Sequence, residues 1–348
     1  MTMPEKRWSS ALQPGEALLV ADVGGTNCTF AFVREKQGKI SLLAGLQVES
    51  KTITDFSSTV KEVVEWGKRK YGLVVQQFCA AGAGPVSPAG QSITITHLPW
   101  NIDADKIKKA TGLSVLLIND FDAVAYGIEA VPQKDIMVVK AGKQVARAPR
   151  ALLGPGTGLG KSFIIYNEHK KAYVPISSEG GHASASFETE EEFALARWIQ
   201  KRDKTAVVAW EDVLSGKGIS NLYQFLEEKS DRRNKEIQNS GYDPAVIAHH
   251  RHTDPLCQKT FDLFLRFYAR CAKNLALDVL ARGGVYLAGG ITARNIDLFQ
   301  RKVFKEEFIH TKNMKGVLEQ IPVYAITNYD VSLYGAAVAV KLKERRWK

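Results

Sequence analysis

Residues 17–33 read ALLVADVGGTNCTFAFV and predict two apolar strands joined by the turn Gly24–Asn27. The next apolar segment, residues 40–48, extends this pair into an antiparallel meander. Because two glycines remove side chains from the turn, its backbone N–H groups and the Thr26 hydroxyl can face a phosphate. Asp22 comes at the end of the first strand, where a Mg²⁺ ion bridging phosphates would need a carboxylate. An ordinary β-hairpin is the alternative interpretation, since this motif alone is only moderately specific.

The same pattern returns later in the chain. Residues 150–153 predict a strand, GPGTGLG at 154–160 a turn, and SFIIY at 162–166 a second strand. This segment is not a Walker A loop, because Pro155 stands where the first glycine belongs and strands rather than a helix follow. We therefore expect a second phosphate-binding hairpin, with Thr157 as its hydroxyl donor. The recurrence of strand, glycine-rich turn and strand predicts two related lobes.

Three further motifs follow apolar segments. IND at 118–120 ends a buried strand, so Asp120 and the neighbouring amide could bind two sugar hydroxyls and accept a proton from one; a helix cap is the alternative. SEGGH at 178–182 places a glutamate and a histidine where both can bond the same polyol, with a surface turn as the alternative. LAGGI at 287–291 offers bare backbone to an adenine or a ribose.

Apolar residues recur with helical spacing in residues 55–71, 103–111, 255–282 and 332–342. Thr189, with Glu192 three residues later, is typical of a capping box at the start of a helix. Strands that alternate with helices indicate an α/β fold. We expect a small α/β lobe made of residues 1–120 plus 331–348, and a large α/β lobe made of residues 121–330.

Length and composition describe a globular protein. The chain has 348 residues, 45% of them hydrophobic, which is enough for two domains of ordinary size. The net charge of +10 is spread over short runs without interleaved aromatic residues, so no nucleic-acid partner is expected. No apolar run approaches the roughly 20 residues that span a bilayer, and the first residues lack a signal-peptide pattern. We therefore expect a cytoplasmic protein with no membrane partner. The four cysteines are scattered, which argues against a zinc site.

The motifs DVGGT, LPW, IND, GPGTGLG, EGGH, EDVLSG and LAGG occur in this order, and the ordered set resembles the bacterial-type glucokinases. That family belongs to the superfamily of hexokinase, acetate kinase, heat-shock proteins and actin, and the resemblance covers about residues 17–340. It implies a two-lobed, actin-like (ribonuclease H-like) α/β fold with the active site in the interlobe cleft. It also implies ATP- and Mg²⁺-dependent phosphorylation of glucose at the 6-hydroxyl to glucose 6-phosphate, which feeds glycolysis.

The resemblance implies a role for each matching residue. The first phosphate loop would comprise Asp22, Gly24, Gly25, Thr26 and Asn27, with Asp22 as the magnesium ligand. The second would comprise Gly156, Thr157 and Gly158, while Gly289 and Gly290 would lie at the adenosine. The hexose would be bound by Asn119, Asp120, Glu179, His182 and Glu211, with Asp120 as general base.

Several alternatives stay open. Another hexose, such as mannose, glucosamine or fructose, could be the substrate, and a non-catalytic sugar sensor or a chaperone-like ATPase are rivals of another class. The zinc-bearing ROK sugar kinases have clustered cysteines soon after the motif's histidine, whereas the next cysteine after His182 here is Cys257. The oligomeric state, a homodimer included, is also open. The phosphoryl donor is open as well, since another nucleotide or polyphosphate could take the place of ATP. Trp100, which ends the LPW motif, is expected to report sugar binding by moving to a drier environment.

Overall fold

The computed structural model describes residues 3–95 and 98–344, apart from the side chain of Glu344. These residues form two compact units. The first unit holds the described residues up to Pro132, together with Asn167–Pro175 and the described residues from Asp330 onward. The second unit holds Gln133–Tyr166 and Ile176–Tyr329.

The strands, in chain order, are β1 (Glu5–Arg7), β2 (Gly15–Val23), β3 (Asn27–Lys36), β4 (Lys39–Glu49), β5 (Leu73–Gly82), β6 (Ser92–Thr94), β7 (Asn101–Asp103), β8 (Ser114–Asn119), β9 (Ile136–Lys140), β10 (Arg150–Pro155), β11 (Leu159–Asn167), β12 (Ala172–Ser178), β13 (Val285–Leu287) and β14 (Val323–Ile326).

The α-helices are α1 (Phe56–Tyr71), α2 (Ala104–Thr111), α3 (Asp120–Gly127), α4 (Glu190–Asp203), α5 (Gly216–Glu228), α6 (Lys235–Asn239), α7 (Pro244–His249), α8 (Pro255–Asp278), α9 (Gly290–Arg294), α10 (Lys302–Ile309), α11 (Lys315–Gln320) and α12 (Val331–Glu344). Short 3₁₀ segments occur at Ser50–Thr52, Gln133–Asp135, Gly180–His182, Trp210–Asp212 and Ile296–Gln300.

The main sheet of the first unit has the strand order β1-β4-β3-β2-β5-β8. β2, β3 and β4 are antiparallel neighbours, as residues 17–48 predict. β5 and β8 run parallel to β2, so the carboxyl ends of these three strands meet at one edge. The register pairs Asp22 with Ala81 and Asn119 with Gly82. The first predicted carboxylate and the IND motif therefore end at the same edge of the sheet, with one strand between them.

Helix α3 is held in the first unit by α12, which packs closely against it. A Cβ atom added to Gly335 of α12 would lie 1.7 Å from the carbonyl oxygen of Ala123, so only glycine permits this approach. Since Asp120 is the first residue of α3, this packing fixes the position of that carboxylate.

The second six-stranded sheet has the strand order β12-β11-β10-β13-β14-β9, and its strands other than β12 lie almost entirely in the second unit. β11 pairs antiparallel with β10, whereas β13 and β14 run parallel to it. Five strands of each sheet thus follow one order. The first strand of the hairpin is central, its hairpin partner lies on one side of it, and two later parallel strands lie on the other side. The repeated order agrees with the strand–turn–strand pattern that recurs in the sequence, and it is the ribonuclease H-like arrangement expected.

The predicted elements agree with the observed ones to within a few residues, with two exceptions. Helix α8 ends at Asp278, before the predicted end at residue 282. The first unit extends to Pro132 rather than to residue 120, because α3 packs on α12. It also includes Asn167–Pro175, which were expected in the large lobe. Within the part of the chain that the structure describes, no helix has both the length and the apolar character needed to cross a membrane.

Candidate active site

Asp22 is the penultimate residue of β2, whose buried residues Leu19, Val20 and Ala21 carry it to the edge of the sheet. The Ser332 hydroxyl donates a hydrogen bond of 2.6 Å to its Oδ2 atom. Burial raises the pKa of this carboxyl above its usual range, although the bond from Ser332 opposes the shift. A bound cation would favour the ionised form of this carboxyl and so oppose the effect of burial. Asp22 therefore fits the expected Mg²⁺ ligand.

The turn between β2 and β3 presents bare backbone. The Gly24 N–H closes it by donating to the carbonyl of Asn27 at 3.0 Å. Neither Gly24 nor Gly25 has a left-handed φ, so the backbone conformation alone does not require glycine. A Cβ atom on Gly25 would meet no atom within 4 Å, and Thr26 and Asn27 are exposed. The missing side chains leave space above the turn, as a phosphate-binding loop needs.

Ser50 supports this turn, and no feature of the sequence pointed to it. Its N–H donates to the carbonyl of Thr26 at 2.8 Å, and its hydroxyl donates to the carbonyl of Gly24 at 2.7 Å. The indole N–H of Trp100 in turn donates to the Ser50 carbonyl at 3.2 Å. The buried side chains of Ser50 and Trp100 thus support the turn between β2 and β3.

Trp100 does not match the expected sugar reporter. Its side chain is only 8% exposed, and its ring stacks on Phe56 with the centroids 5.3 Å apart. The expectation that sugar binding moves the indole from a wet to a dry environment is therefore wrong, because the indole is already buried. Its bond to Ser50 instead links it to the first glycine-rich turn.

Replacing Trp100 by Phe should keep the stack on Phe56 and remove the bond to Ser50. We expect a loss of about 1 kcal/mol in the free energy of unfolding and a rise of a few-fold in KM for ATP, with KM for glucose unchanged. Steady-state kinetics with each substrate varied in turn would measure the difference. If KM rises for glucose but not for ATP, Trp100 supports the sugar site instead.

Asn119 and Asp120 stand at the junction of β8 and α3. The Asn119 Oδ1 atom accepts hydrogen bonds from the N–H groups of Phe121 at 2.9 Å and Asp122 at 3.3 Å, so Asn119 caps the helix. Its Nδ2 donates to the carbonyl of Gly84 at 3.2 Å. The helix-cap interpretation of the IND motif is therefore correct for the Asn119 amide, whereas the carboxylate beside it is not the cap.

The Asp120 carboxyl has a pKa well above that of an ordinary aspartate. Burial raises its pKa to about 7, and the negative charge of Asp22 adds to the shift, while the N–H of Phe121 opposes it. That N–H donates to Oδ1 at 2.9 Å, which fixes the orientation of the carboxyl. A carboxylate with a pKa near neutrality can accept a proton far better than an ordinary aspartate.

The second glycine-rich turn lies between β10 and β11 in the second unit. The Gly156 N–H closes it by donating to the carbonyl of Gly158 at 2.8 Å, and Thr157 is exposed. A Cβ atom on Gly156 would meet no atom within 4 Å, so this turn is bare like the first. A Cβ atom on Gly158 would lie 3.1 Å from Glu211 Oε2, which places that carboxylate directly beside the turn.

Gly289 and Gly290 follow β13 and begin α9. Gly289 has a φ of +88°, and a Cβ atom on it would lie 2.7 Å from the carbonyl oxygen of Pro155. This glycine is therefore needed both for its conformation and for its contact with the end of β10. At Gly290 an added Cβ atom would meet nothing within 4 Å, which leaves open surface of the kind expected for an adenosine.

Glu179, His182 and Glu211 come together in the second unit, although Glu211 is distant in the sequence. The His182 Nδ1 atom lies 3.3 Å from Glu211 Oε1, and its Nε2 atom lies 3.9 Å from Glu179 Oε2. The Glu179 and His182 side chains are 91% and 65% exposed, so they can meet a ligand. A Cβ atom on Gly181 would lie 2.2 Å from the Leu159 carbonyl oxygen, so a glycine is needed to seat this turn against β11.

The two units thus carry complementary chemistry. The first has a bare turn, a carboxylate suited to a cation and a second carboxylate with a pKa near 7. The second has a bare turn beside a histidine and two carboxylates that can bond hydroxyl groups. Two ribonuclease H-like units with these groups define a sugar kinase of the actin-like class.

The comparisons with known proteins agree with this class. The family model described as Glucokinase matches residues 19–343. A glucokinase of Nostoc punctiforme is 33% identical over 92% of this chain and 98% of its own length, and a glucokinase of Neisseria meningitidis is 32% identical over 94% and 96%. The crystal structure of a glucokinase from an Antarctic psychrotroph has a TM-score of 0.79 at 27% identity and covers 93% of this chain and 98% of that one. The chain belongs to the glucokinase family, whose members are ATP-dependent hexose kinases, so the expected family, fold and enzyme class are confirmed.

A ROK family glucokinase from Streptomyces griseus, solved with glucose and AMPPNP, has a TM-score of 0.63 at 19% identity and covers 92% of this chain and 98% of that one. At this identity the likeness concerns the fold alone. The two branches of sugar kinases therefore share the arrangement of strands described above.

Proposed function

We propose that this chain transfers the γ-phosphoryl group of ATP to the 6-hydroxyl of glucose, with Asp120 as the general base, and so supplies glucose 6-phosphate to glycolysis. The observation that carries the proposal is the Asp120 carboxyl, whose pKa of about 7 results first from burial and then from the charge of Asp22. A base with this pKa is half deprotonated near neutral pH and can take the hydroxyl proton as attack begins.

The reaction divides among the residues of the two units. Asp120 accepts the proton as the hydroxyl oxygen forms a bond to the γ-phosphorus, and the bond to the bridging oxygen breaks to release ADP. The bare turns at Gly24–Thr26 and Gly156–Gly158 offer backbone N–H groups, and Thr26 and Thr157 offer hydroxyls, to the phosphate oxygens. Such fixed donors stabilise charge that develops during phosphoryl transfer. Open backbone at Gly290 gives the adenosine a surface.

The hexose is recognised by carboxylates, an imidazole and an amide. Glu179, His182 and Glu211 form the cluster described above. The two carboxylates can accept hydrogen bonds from sugar hydroxyls, and the imidazole can donate or accept them. Asn119 orients Asp120 by capping α3 and retains a second N–H on its Nδ2 atom for the sugar. Together these groups favour a polyol over water as the acceptor of the phosphoryl group.

Magnesium belongs to the proposal through Asp22. When bound there, Mg²⁺ would neutralise charge on the phosphates. The carboxylate of Asp22 would hold the ion, directly or through water, and Ser332 keeps its Oδ2 atom in one position. The prediction that the protein needs magnesium for activity, but no metal to fold, rests on this single ligand and on the scattered cysteines.

A cytoplasmic location is also part of the proposal. The four cysteines, Cys28, Cys79, Cys257 and Cys271, are unpaired and buried, a state that thiols keep in a reducing compartment. Fractionation of cells that produce the protein would test the location independently of activity.

Replacing Glu211 by Gln should raise KM for glucose about tenfold or more with a smaller effect on kcat. The change removes a charge-assisted acceptor for a sugar hydroxyl and weakens the contact with His182. The matched control is Glu228→Gln, which neutralises an exposed carboxylate at the end of α5. Steady-state kinetics should leave the control unchanged, and equal KM values for both variants would remove Glu211 from the sugar site.

A coupled assay with ATP across a panel of hexoses tests the function as a whole. We expect glucose to give the highest kcat/KM, above mannose, glucosamine and fructose. A higher value for one of the others would change the substrate but keep the mechanism. Saturable glucose binding by calorimetry without any turnover would instead favour the sugar sensor.

A further inference from the structure

Residues 4–10, here called the N-terminal segment, form part of the first unit, although the family model begins only at residue 19. β1 pairs antiparallel with β4 and adds an edge strand to the sheet. The Gln47 N–H donates to the Pro4 carbonyl at 2.9 Å, and the N–H groups of Trp8 and Ser9 both donate to the Leu43 carbonyl at 3.0 Å. The segment is therefore fixed by backbone bonds at both ends of β1.

Two side chains of this segment bind both oxygens of one carboxylate. Lys6 Nζ lies 3.3 Å from Asp330 Oδ1, and the indole N–H of Trp8 donates to Asp330 Oδ2 at 2.7 Å. The Lys6 ammonium also lies 5.6 Å from the centre of the Trp8 ring, so the two side chains support each other. Because the carboxylate is bonded on both sides, Asp330 cannot rotate without breaking one of these contacts.

Asp330 precedes α12 and anchors its first turn. Its carbonyl accepts hydrogen bonds from the N–H groups of Leu333 at 3.0 Å and Tyr334 at 3.3 Å. Ser332 lies in this turn and is 4% exposed, and its hydroxyl donates to Asp22 Oδ2 at 2.6 Å. A continuous chain of contacts thus runs from the N-terminal segment through Asp330 and Ser332 to the proposed magnesium ligand.

We propose that the N-terminal segment positions the Asp22 carboxylate for Mg²⁺–nucleotide binding, with Lys6 and Trp8 acting through Asp330 and the first turn of α12. Ser332 is the residue that transmits this position, because a short hydrogen bond to a carboxylate is strong and directional. Lys6 also forms an ion pair with Asp330, the residue that precedes this turn. The inference rests on the proposed function, in which Asp22 serves the nucleotide and its cation.

Calorimetric titration with a non-hydrolysable ATP analogue, with and without Mg²⁺ and in the absence of sugar, provides the test. The quantity measured is the gain in nucleotide affinity that Mg²⁺ produces. We expect Ser332→Ala to reduce this gain about tenfold. Trp8→Phe, which keeps the ring and removes the N–H donor, and Lys6→Gln should each reduce it two- to fivefold. Nucleotide affinity without Mg²⁺ should change little in all three.

The matched control is Arg7→Gln. Arg7 lies on the same strand between Lys6 and Trp8, and its guanidinium bonds the carbonyls of Ser9 and Ser10 rather than Asp330. This variant should keep the full magnesium effect. In steady-state kinetics the three test variants should raise KM for Mg²⁺–ATP and leave KM for glucose at the wild-type value.

Each other outcome has a definite meaning. If the wild type shows the magnesium effect and the variants keep it while melting at lower temperature, the segment only stabilises the fold and the inference is overturned. If the wild type shows no magnesium effect, the proposed Mg²⁺ site is wrong and the inference falls with it. If the magnesium effect responds as expected but no hexose is phosphorylated, the inference stands and the proposed hexose activity fails.

Discussion

Replacing Asp120 by Asn should lower kcat roughly 10²- to 10⁴-fold, the share of rate that a general base contributes. An amide cannot accept the hydroxyl proton, whereas it can keep the bond that Oδ1 accepts from the Phe121 N–H. The cap of α3 is Asn119, which the change does not touch. The fold and the glucose affinity should therefore be retained, and the main effect should appear in turnover.

The pH dependence of the wild type and of Asp120→Asn gives a second measurement. Because the base acts when deprotonated, kcat/KM of the wild type, which reports ionisations of the free enzyme, should rise with pH and level off above about 7. The raised pKa also means that the folded chain holds a proton on Asp120 that the unfolded chain releases. As the pH rises from about 4 to 7, ionisation of Asp120 therefore lowers the free energy of unfolding, and the loss is complete above pH 7. The variant should gain thermal stability over the wild type at pH 8 more than at pH 5.

Asp122→Asn is the matched control for this prediction. It neutralises a carboxylate in the same first turn of α3, and the Asp122 charge contributes only slightly to the raised pKa of Asp120. Its kcat should remain within a few-fold of the wild type, with the pH profile moved slightly to lower pH. Turnover by Asp120→Asn at the wild-type level would remove Asp120 from the base role.

Local patterns in the sequence predicted the parts of the site that follow apolar strands. Asp22 and Asp120 end strands of four or more apolar residues, and the register of a parallel sheet brings such strand ends to one edge. The glycine-rich turns were predictable for the same reason, since each connects the two apolar strands of a hairpin. The repetition of this pattern in both halves of the chain predicted two related lobes, whereas the actin-like fold was implied by the resemblance to the bacterial-type glucokinases.

Contacts between distant segments could not be predicted in this way. Ser332 and Asp22 are 310 positions apart, and Lys6 and Asp330 are 324 apart, so no spacing in the sequence relates them. Ser50 carries no motif either, because its role depends on the loop that packs over it. Packing, rather than local preference, decides such positions, and only the folded chain shows them.

Glu192 illustrates how a correct local prediction can miss the main role of a residue. The predicted capping box is half present, since the Thr189 hydroxyl accepts the Glu192 N–H at 3.2 Å. The Glu192 side chain, however, accepts the N–H of Glu188 at 2.7 Å rather than that of Thr189. Its carboxylate also binds Arg270 of α8, with Nη1 to Oε2 at 2.7 Å and Nη2 to Oε1 at 3.2 Å. The spacing in the sequence indicated a helix cap, whereas in the folded chain the Glu192 carboxylate forms a buried ion pair with Arg270.

Arg270 is the centre of a buried network in the second unit. Its side chain is 2% exposed, and that of Glu192 is 1% exposed. Its Nε atom lies 3.0 Å from Glu307 Oε1, and its Nη1 also donates to the Ser186 carbonyl at 3.0 Å. Ser186 belongs to the segment between His182 and α4, so the network also holds the chain that follows the proposed sugar-binding histidine.

Replacing Glu192 by Ala should lower the free energy of unfolding by about 3–5 kcal/mol, because it leaves the buried Arg270 guanidinium without its bidentate partner. KM for glucose should rise as well, since the segment after His182 loses part of its support. Glu319→Ala, which breaks an exposed pair with Lys315, is the matched control and should cost no more than about 0.5 kcal/mol. Urea unfolding followed by tryptophan fluorescence measures the free energy of unfolding of both variants. A loss below 1 kcal/mol for Glu192→Ala would mean that Glu188, Glu307 and the Ser186 carbonyl suffice to compensate the buried charge.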